Sequence, residues 1–175
     1  DPDNALDRWT TDALTSAAAA HARPFLNRIA TSTDAAGIAR SIPVVRIVAE
    51  HIARGRPDSD AINSLVETLA TAPPQVAAAI VSGLAEGWPR QHEIALSPAA
   101  EDSLIAILDR LPTGTKGQVI RLASLWGSSK LEEHADAIVE SLLDAIGDDD
   151  SAIADRIAAA RNLVGFRPDD DDVVE

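Results

Sequence analysis

The chain of 175 residues holds 28 acidic against 15 basic side chains, a formal net charge of −13, and it has no cysteine, methionine or tyrosine. Disulfides, thiolate metal sites and cysteine nucleophiles are thereby excluded from the segment, and so large an acidic excess argues against phosphate backbones and anionic membranes as partners. Hydrophobic residues make up 46% and aromatics 3%, so a core must be assembled from Ala, Leu, Ile and Val, which suits close-packed helices better than a β-sandwich.

The charge is uneven. Asp1 to Asp60 holds eight acids and seven arginines, whereas Ala61 to Glu175 holds twenty acids and eight bases, a net of −12. No apolar run approaches the ~20 residues of a membrane span. The opening DPDN and the closing DDDDVVE, which reads as a helix start, are expected of a piece of a larger protein.

The periodicity predicts a first helix over Asp7–Ala20, with Leu6, Trp9, Ala13 and Ala17 on one stripe. Pro24 opens a short second helix carrying Phe25, Leu26 and Ile29, and Thr31–Gly37 reads as a polar loop. Pro43 fits the first residue of the next helix, whose face is Val44, Val45, Val48 and Ile52, ended by Gly55–Pro57. Asp58 or Ser59 caps a helix with Ile62, Leu65, Val66 and Leu69 inward. Pro73-Pro74 starts another, with Val76, Ala77, Ile80 and Leu84, stopping near Gly87. After a longer linker, Trp88–Leu96, Ser97-Pro98 caps a helix with Leu104, Ile105, Leu108 and Leu111.

The clearest unit is a helical hairpin over Lys116–Gly147. Its first helix carries Val119, Ile120, Leu122, Ala123, Leu125 and Trp126 and stops at Gly127. Ser129 offers an N-cap, with Glu132 completing a capping box, and the second helix sets Leu131, Ala135, Ile138, Val139, Leu142 and Ile146 on one face. Asp148–Asp150 caps a last helix lined by Ile153, Ile157, Ala160 and Val164.

These are helix pairs recurring at roughly 32 to 41 residues, within the range of helical repeats. SGLAEGW at Ser82–Trp88 echoes RLASLWG at Arg121–Gly127, and AAARNLVGF at Ala158–Phe166 falls at the same place in its unit. The expected fold is all-α: one domain over residues 1–175, a right-handed α-α superhelix of about four and a half hairpins, HEAT- or armadillo-like.

The segments DRWTTDALTSAA (Asp7–Ala18), GLAEGW (Gly83–Trp88) and RLASLWGSS (Arg121–Ser129) carry a resemblance. The chain resembles the HEAT-like helical-repeat region of large exported bacterial proteins of the membrane-bound dehydrogenase and cytochrome c multidomain kind. Those proteins join a sugar-dehydrogenase β-propeller, a HEAT-like segment and a haem-binding cytochrome module. The resemblance implies an exported, periplasmic or cell-envelope location and an electron-transfer setting for the parent protein. It implies no chemistry and no cofactor for this segment.

His21, His51, His92 and His134 are not paired at metal-ligand spacing, and no H-E-x-x-H occurs. Asp148–Asp150 and Asp169–Asp172 lack the alternation, central glycine and distal glutamate of a calcium loop, which leaves them as caps and solvated loops. Ser82-Gly83 lacks the rest of a nucleophile elbow. Gly114–Gly117 hints at a phosphate loop without its spacing. Arg40, Arg46, Arg54 and Arg56 form a modestly basic face, with Arg46 and Glu50 able to pair. Trp88, with Arg90 and His92 in the longest linker, has the composition of a binding hot spot, though inter-repeat packing explains Trp88 as well.

Three functions follow as expectations. The first is a non-catalytic interaction scaffold or inter-domain spacer, with a protein or neighbouring domain as partner and Trp88, Arg90 and His92 as interaction residues. The second is a helical-repeat DNA glycosylase, which needs a basic groove. The third is a regulatory domain binding a small ligand in a pocket ringed by aromatics.

Overall fold

The computed structural model describes residues 17–108, 110–148 and 153–166. Among them lie eight helices: α1 (Ala22–Ala30), α2 (Ala35–Arg54), α3 (Ser59–Leu69), α4 (Pro74–Gly87), α5 (Pro98–Leu108), α6 (Thr113–Leu125), α7 (Ser129–Gly147) and α8 (Ile153–Phe166). Residues 17–20 are helical too, and no strand occurs among the described residues. The expected stripe through Trp9, the caps at Asp149 and Asp150, and the Asp169–Asp172 run lie outside the described residues.

Each helix contacts the helix two places further on, giving one row of α1, α3, α5 and α7 and a second of α2, α4, α6 and α8. The faces that hydrophobic periodicity marks in α3 and α4 are the faces that become buried. Ile62, Leu65, Val66 and Leu69 are buried, as are Val76, Ala77, Ile80 and Leu84. α4 also buries Ala79, Val81 and Ala85, so it is surrounded on most sides.

Helix α4 approaches α2 closely. A Cβ added at Gly83 would come within 3.0 Å of the Arg46 carbonyl, the Ala49 side chain and the Glu50 amide. One added at Gly87 would come within 3.1 Å of the Glu50 carbonyl and Ala53. Two glycines four residues apart thus remove side-chain bulk along one line, as small residues do wherever two helix backbones must nearly touch. Beside this crossing, Arg46 grips Glu86 with both Nε (2.9 Å) and a terminal nitrogen. Arg46 thus pairs across helices rather than with Glu50 in its own helix, and Glu50 pairs with Arg54. The cross-helix partner offers a two-pronged match to the planar guanidinium.

Helix ends follow local chemistry in most places. Asp58 Oδ1 accepts from the Ala61 amide (2.8 Å) and Ser97 Oγ from Ala100 (3.1 Å). Pro74 stands in the first turn of α4. The α6–α7 turn uses two residues for two jobs. Gly127 takes φ +71°, its amide donates to Ser124 O (3.0 Å), and the Ser128 amide donates to Ala123 O (3.0 Å), a Schellman closure of α6. The Ser128 hydroxyl then accepts from the Leu131 amide, capping α7. The expected cap one residue later, at Ser129, is therefore displaced. The Schellman turn fixes Ser128, not Ser129, in the extended conformation a cap needs.

Two other boundaries and one inner face differ from the periodicity reading. α2 starts at Ala35, not at Pro43, and takes in the last three residues of the expected Thr31–Gly37 loop, leaving residues 31–34 as the connection. Asp34 caps it, accepting from the Gly37 amide at 3.1 Å, and Ile38 (3% exposed) belongs to the core. Pro43 sits inside the helix without an N–H, a local loss outweighed by burial of Val44, Val45 and Val48 on the following turn. α6 starts at Thr113 rather than Lys116, with Pro112 accepting from the Thr115 and Lys116 amides, so the Gly114–Gly117 stretch is helix and not a phosphate loop. In α8 the expected inward stripe is turned out. Ala159 and Leu163 are buried, while Ile153, Ile157 and Val164 are exposed.

Candidate functional site

The longest connection among the described elements, residues 88–97, is a fixed strap rather than a free loop. Asn63 holds it at two points: its side-chain nitrogen donates to Ala95 O (3.3 Å), and its oxygen accepts from the Ser97 amide (2.9 Å). Ser59 Oγ accepts from the Ala95 amide (3.0 Å), and Ser97 Oγ donates to Glu67 (3.3 Å). Ser59, Asn63 and Glu67 stand four residues apart, one above another on a single face of α3, so the strap lies along that face. Residues of a helix with two-sided duty thus tie row one to the strand of chain leaving row two.

At the start of the strap, Trp88 is 7% exposed. Its Nε1–H donates to the His92 carbonyl (2.9 Å), and its ring meets the His92 ring at 5.2 Å and the Trp126 ring edge-on at 5.0 Å. His92 Nε2 lies 2.8 Å from Pro57 O, and because a carbonyl only accepts, the proton sits on Nε2. The expected cluster Trp88, Arg90, His92 is accordingly divided. Trp88 faces the core, His92 is half-buried and joins the strap to the α2–α3 turn, and Arg90 alone is exposed. An exposed Trp88 is not what the structure has: the echo of SGLAEGW in RLASLWG places Trp88 and Trp126 at matching ends of α4 and α6, where the two rings pack on each other. Trp126 Nε1 is buried without a hydrogen-bond partner.

Arginines close helix ends across the molecule. Arg110 donates to Ala70 O and Ala72 O, both at 2.6 Å, beyond the C-terminus of α3, and Arg121 to Ala85 O (2.8 Å) in the last turn of α4. These are sites where orphan carbonyls and the negative helix end favour a cation. Composition alone does not reveal them, because the carbonyl acceptors are set by the fold.

The Ser82 hydroxyl donates to Gln118 (2.8 Å) between α4 and α6. Among the described residues no group of three or more His, Asp or Glu is placed to hold a metal ion, and no helix is long and apolar enough to cross a membrane. Among the described residues, cavities of about 340, 420 and 560 Å³ open at the surface, and none of these three is lined by Trp or Phe. The largest of these three is lined in part by Thr31, Ser32, Thr33 and Thr71 and by Arg110, whose terminal nitrogens already serve Ala70 and Ala72.

The α7–α8 pair presents a different kind of surface. Leu143 on α7 and Ile153, Ile157 and Val164 on α8 are between 48% and 74% exposed. Glu133, Glu140 and Asp144 of α7 are exposed as well. Compared with known proteins, the chain matches no family model, no curated protein and no solved structure.

Proposed function

We propose that the chain is a HEAT-like repeat module, a right-handed α-α superhelix that works as a protein-interaction scaffold or inter-domain spacer. The observation that carries this reading is the two-row packing, in which each helix meets the helix two places on. Such packing builds an extended body from local contacts and holds whatever flanks it at a set distance. The α3–strap ties and the Arg110 and Arg121 ties add rigidity between successive units. A setting inside a larger exported bacterial protein of the dehydrogenase and cytochrome kind rests on the sequence resemblance. The acidic balance, with twenty acids and eight bases after Asp60, disfavours the glycosylase alternative. The three cavities formed by described residues carry no aromatic lining, so they lend the small-ligand alternative no support.

Small-angle scattering joined to hydrogen exchange tests the reading. A stack gives an elongated distance distribution and a radius of gyration above the ~16 Å of a compact chain of this length. Protection in a stack is greatest in the middle, at α4, and declines toward both ends, because each unit is supported only by its neighbours. A compact profile with uniform protection overturns the proposal.

A further inference from the structure

α8 is apolar on two sides, and only one side is used. Ala159 and Leu163 face inward at 7% and 6% exposure, whereas Ile153 (74%), Ile157 (48%) and Val164 (52%) face outward. The outward three fall four and seven residues apart, which places them on one stripe of a helix. Leu143 (52%) is likewise exposed, on α7, the helix that packs against α8. An exposed apolar stripe on a helix whose other apolar side is already packed is an unfilled contact.

Charge indicates what fills it. Residues 129–166 contain nine acids and three bases. Of the bases, Lys130 is paired with Asp102 and Arg156 donates to Ile146 O, leaving Arg161 as the exposed base on the α8 stripe. Glu133, Glu140 and Asp144 run along one exposed face of α7 at spacings of seven and four residues, with Leu143 next to the last of them. A second copy of the chain fits poorly, since a two-fold pairing of this face would set the same acids against each other. Anionic lipid and nucleic acid are repelled for the same reason.

We infer that the outer face of α7 and α8 docks an amphipathic helical segment whose apolar stripe is flanked by lysines or arginines. The apolar stripe supplies the buried contact, and the acidic row selects the sign of the flanks and steers the approach. This inference rests on the scaffold reading and gives that reading a partner class.

The test uses the full 175-residue chain and two labelled helical peptides with the same leucine stripe, one flanked by lysines and one by glutamates, read by fluorescence anisotropy. The lysine peptide is expected to bind at least about tenfold more tightly than the glutamate peptide and to weaken as salt is raised. The double variant Ile153→Ser, Ile157→Ser, at exposed positions, should keep its helical circular dichroism and bind the lysine peptide about tenfold more weakly. Ile47→Ser, an exposed position on α2, should leave binding unchanged. Equal affinity for the two peptides, no binding of either, or binding indifferent to the Ile153/Ile157 change overturns the inference. So does light scattering that reveals a dimer dissolved by that change, because the occupant is then a second copy. The scattering profile of the free chain stays elongated in all of these cases if the scaffold reading holds, so the two failures are told apart.

Discussion

Gly83 lies so close beneath the carbonyl oxygen of Arg46 that α4 and α2 touch backbone to backbone. Because the obstacle is main chain, it cannot swing aside as a side chain would. Gly83→Ala should therefore destabilise the protein by about 2 kcal/mol, even though alanine gains up to about 1 kcal/mol of helix propensity. Gly147, the last residue of α7, has nothing within 4 Å of an added Cβ. Gly147→Ala should be neutral or slightly stabilising. Urea denaturation of both variants checks the contrast, and an equal response at the two positions would show that the α2–α4 contact is looser than described.

Trp88 and Trp126 touch each other but differ in one respect: Trp88 Nε1 has a partner and Trp126 Nε1 has none. Replacing each by phenylalanine removes similar ring volume. Trp88→Phe also strands the His92 carbonyl, whereas Trp126→Phe removes an unsatisfied donor. Trp88→Phe is expected to cost more, by about 1–2 kcal/mol. Thermal unfolding of the pair measures the difference directly; a larger cost at Trp126 would mean that its indole nitrogen has a partner after all.

Asn63 is the strap's double anchor, giving one hydrogen bond and taking another. Asn63→Ala should lower stability by about 1–2 kcal/mol. The Ser97 amide, which loses its acceptor, should exchange hydrogen faster, while amides in the centre of α4 remain as slow as before. Exchange monitored by NMR at Ser97 decides whether the strap is held from α3 or stands by itself.

The Arg46–Glu86 pair links stability to pH. The hydrogen bond from Arg46 holds the Glu86 carboxyl below its ordinary range, against a smaller opposing effect of burial. A carboxyl with a lowered folded pKa contributes stability above the unfolded value of ~4.3 and loses it as pH falls through the folded value. Glu86→Gln should thus be less stable than the parent near neutrality, with the gap closing in acid. Both side chains are substantially exposed, so the gap should also narrow in high salt. Denaturation across pH at two salt concentrations tests this, and a gap independent of pH would assign the loss to packing instead.

What the sequence by itself determined is the set of helices and most of their inner faces. Pro73-Pro74, Asp58, Ser97-Pro98 and Gly127 act through backbone conformation and caps that operate within a few residues, so they can be read without a fold. The stripes of α3 and α4 become core because periodicity records the average side on which water is excluded.

Only tertiary structure decided the rest. Whether Pro43 begins a helix or rides inside one depends on burial of Ile38 and Val44 on either side of it. Whether Arg46 reaches Glu50 or Glu86 depends on how near the glycines of α4 let the two backbones come. The binding-site composition around Trp88 was visible in the sequence, but its exposure was not, because exposure is fixed by Trp126 thirty-eight residues on and by Pro57 behind His92. The two sides of α8 look equally apolar in the chain, and it is the packing of α6 and α7 against one side that leaves Ile153, Ile157 and Val164 on the other. Local signals set what each helix is; which face meets which neighbour is a property of the whole arrangement.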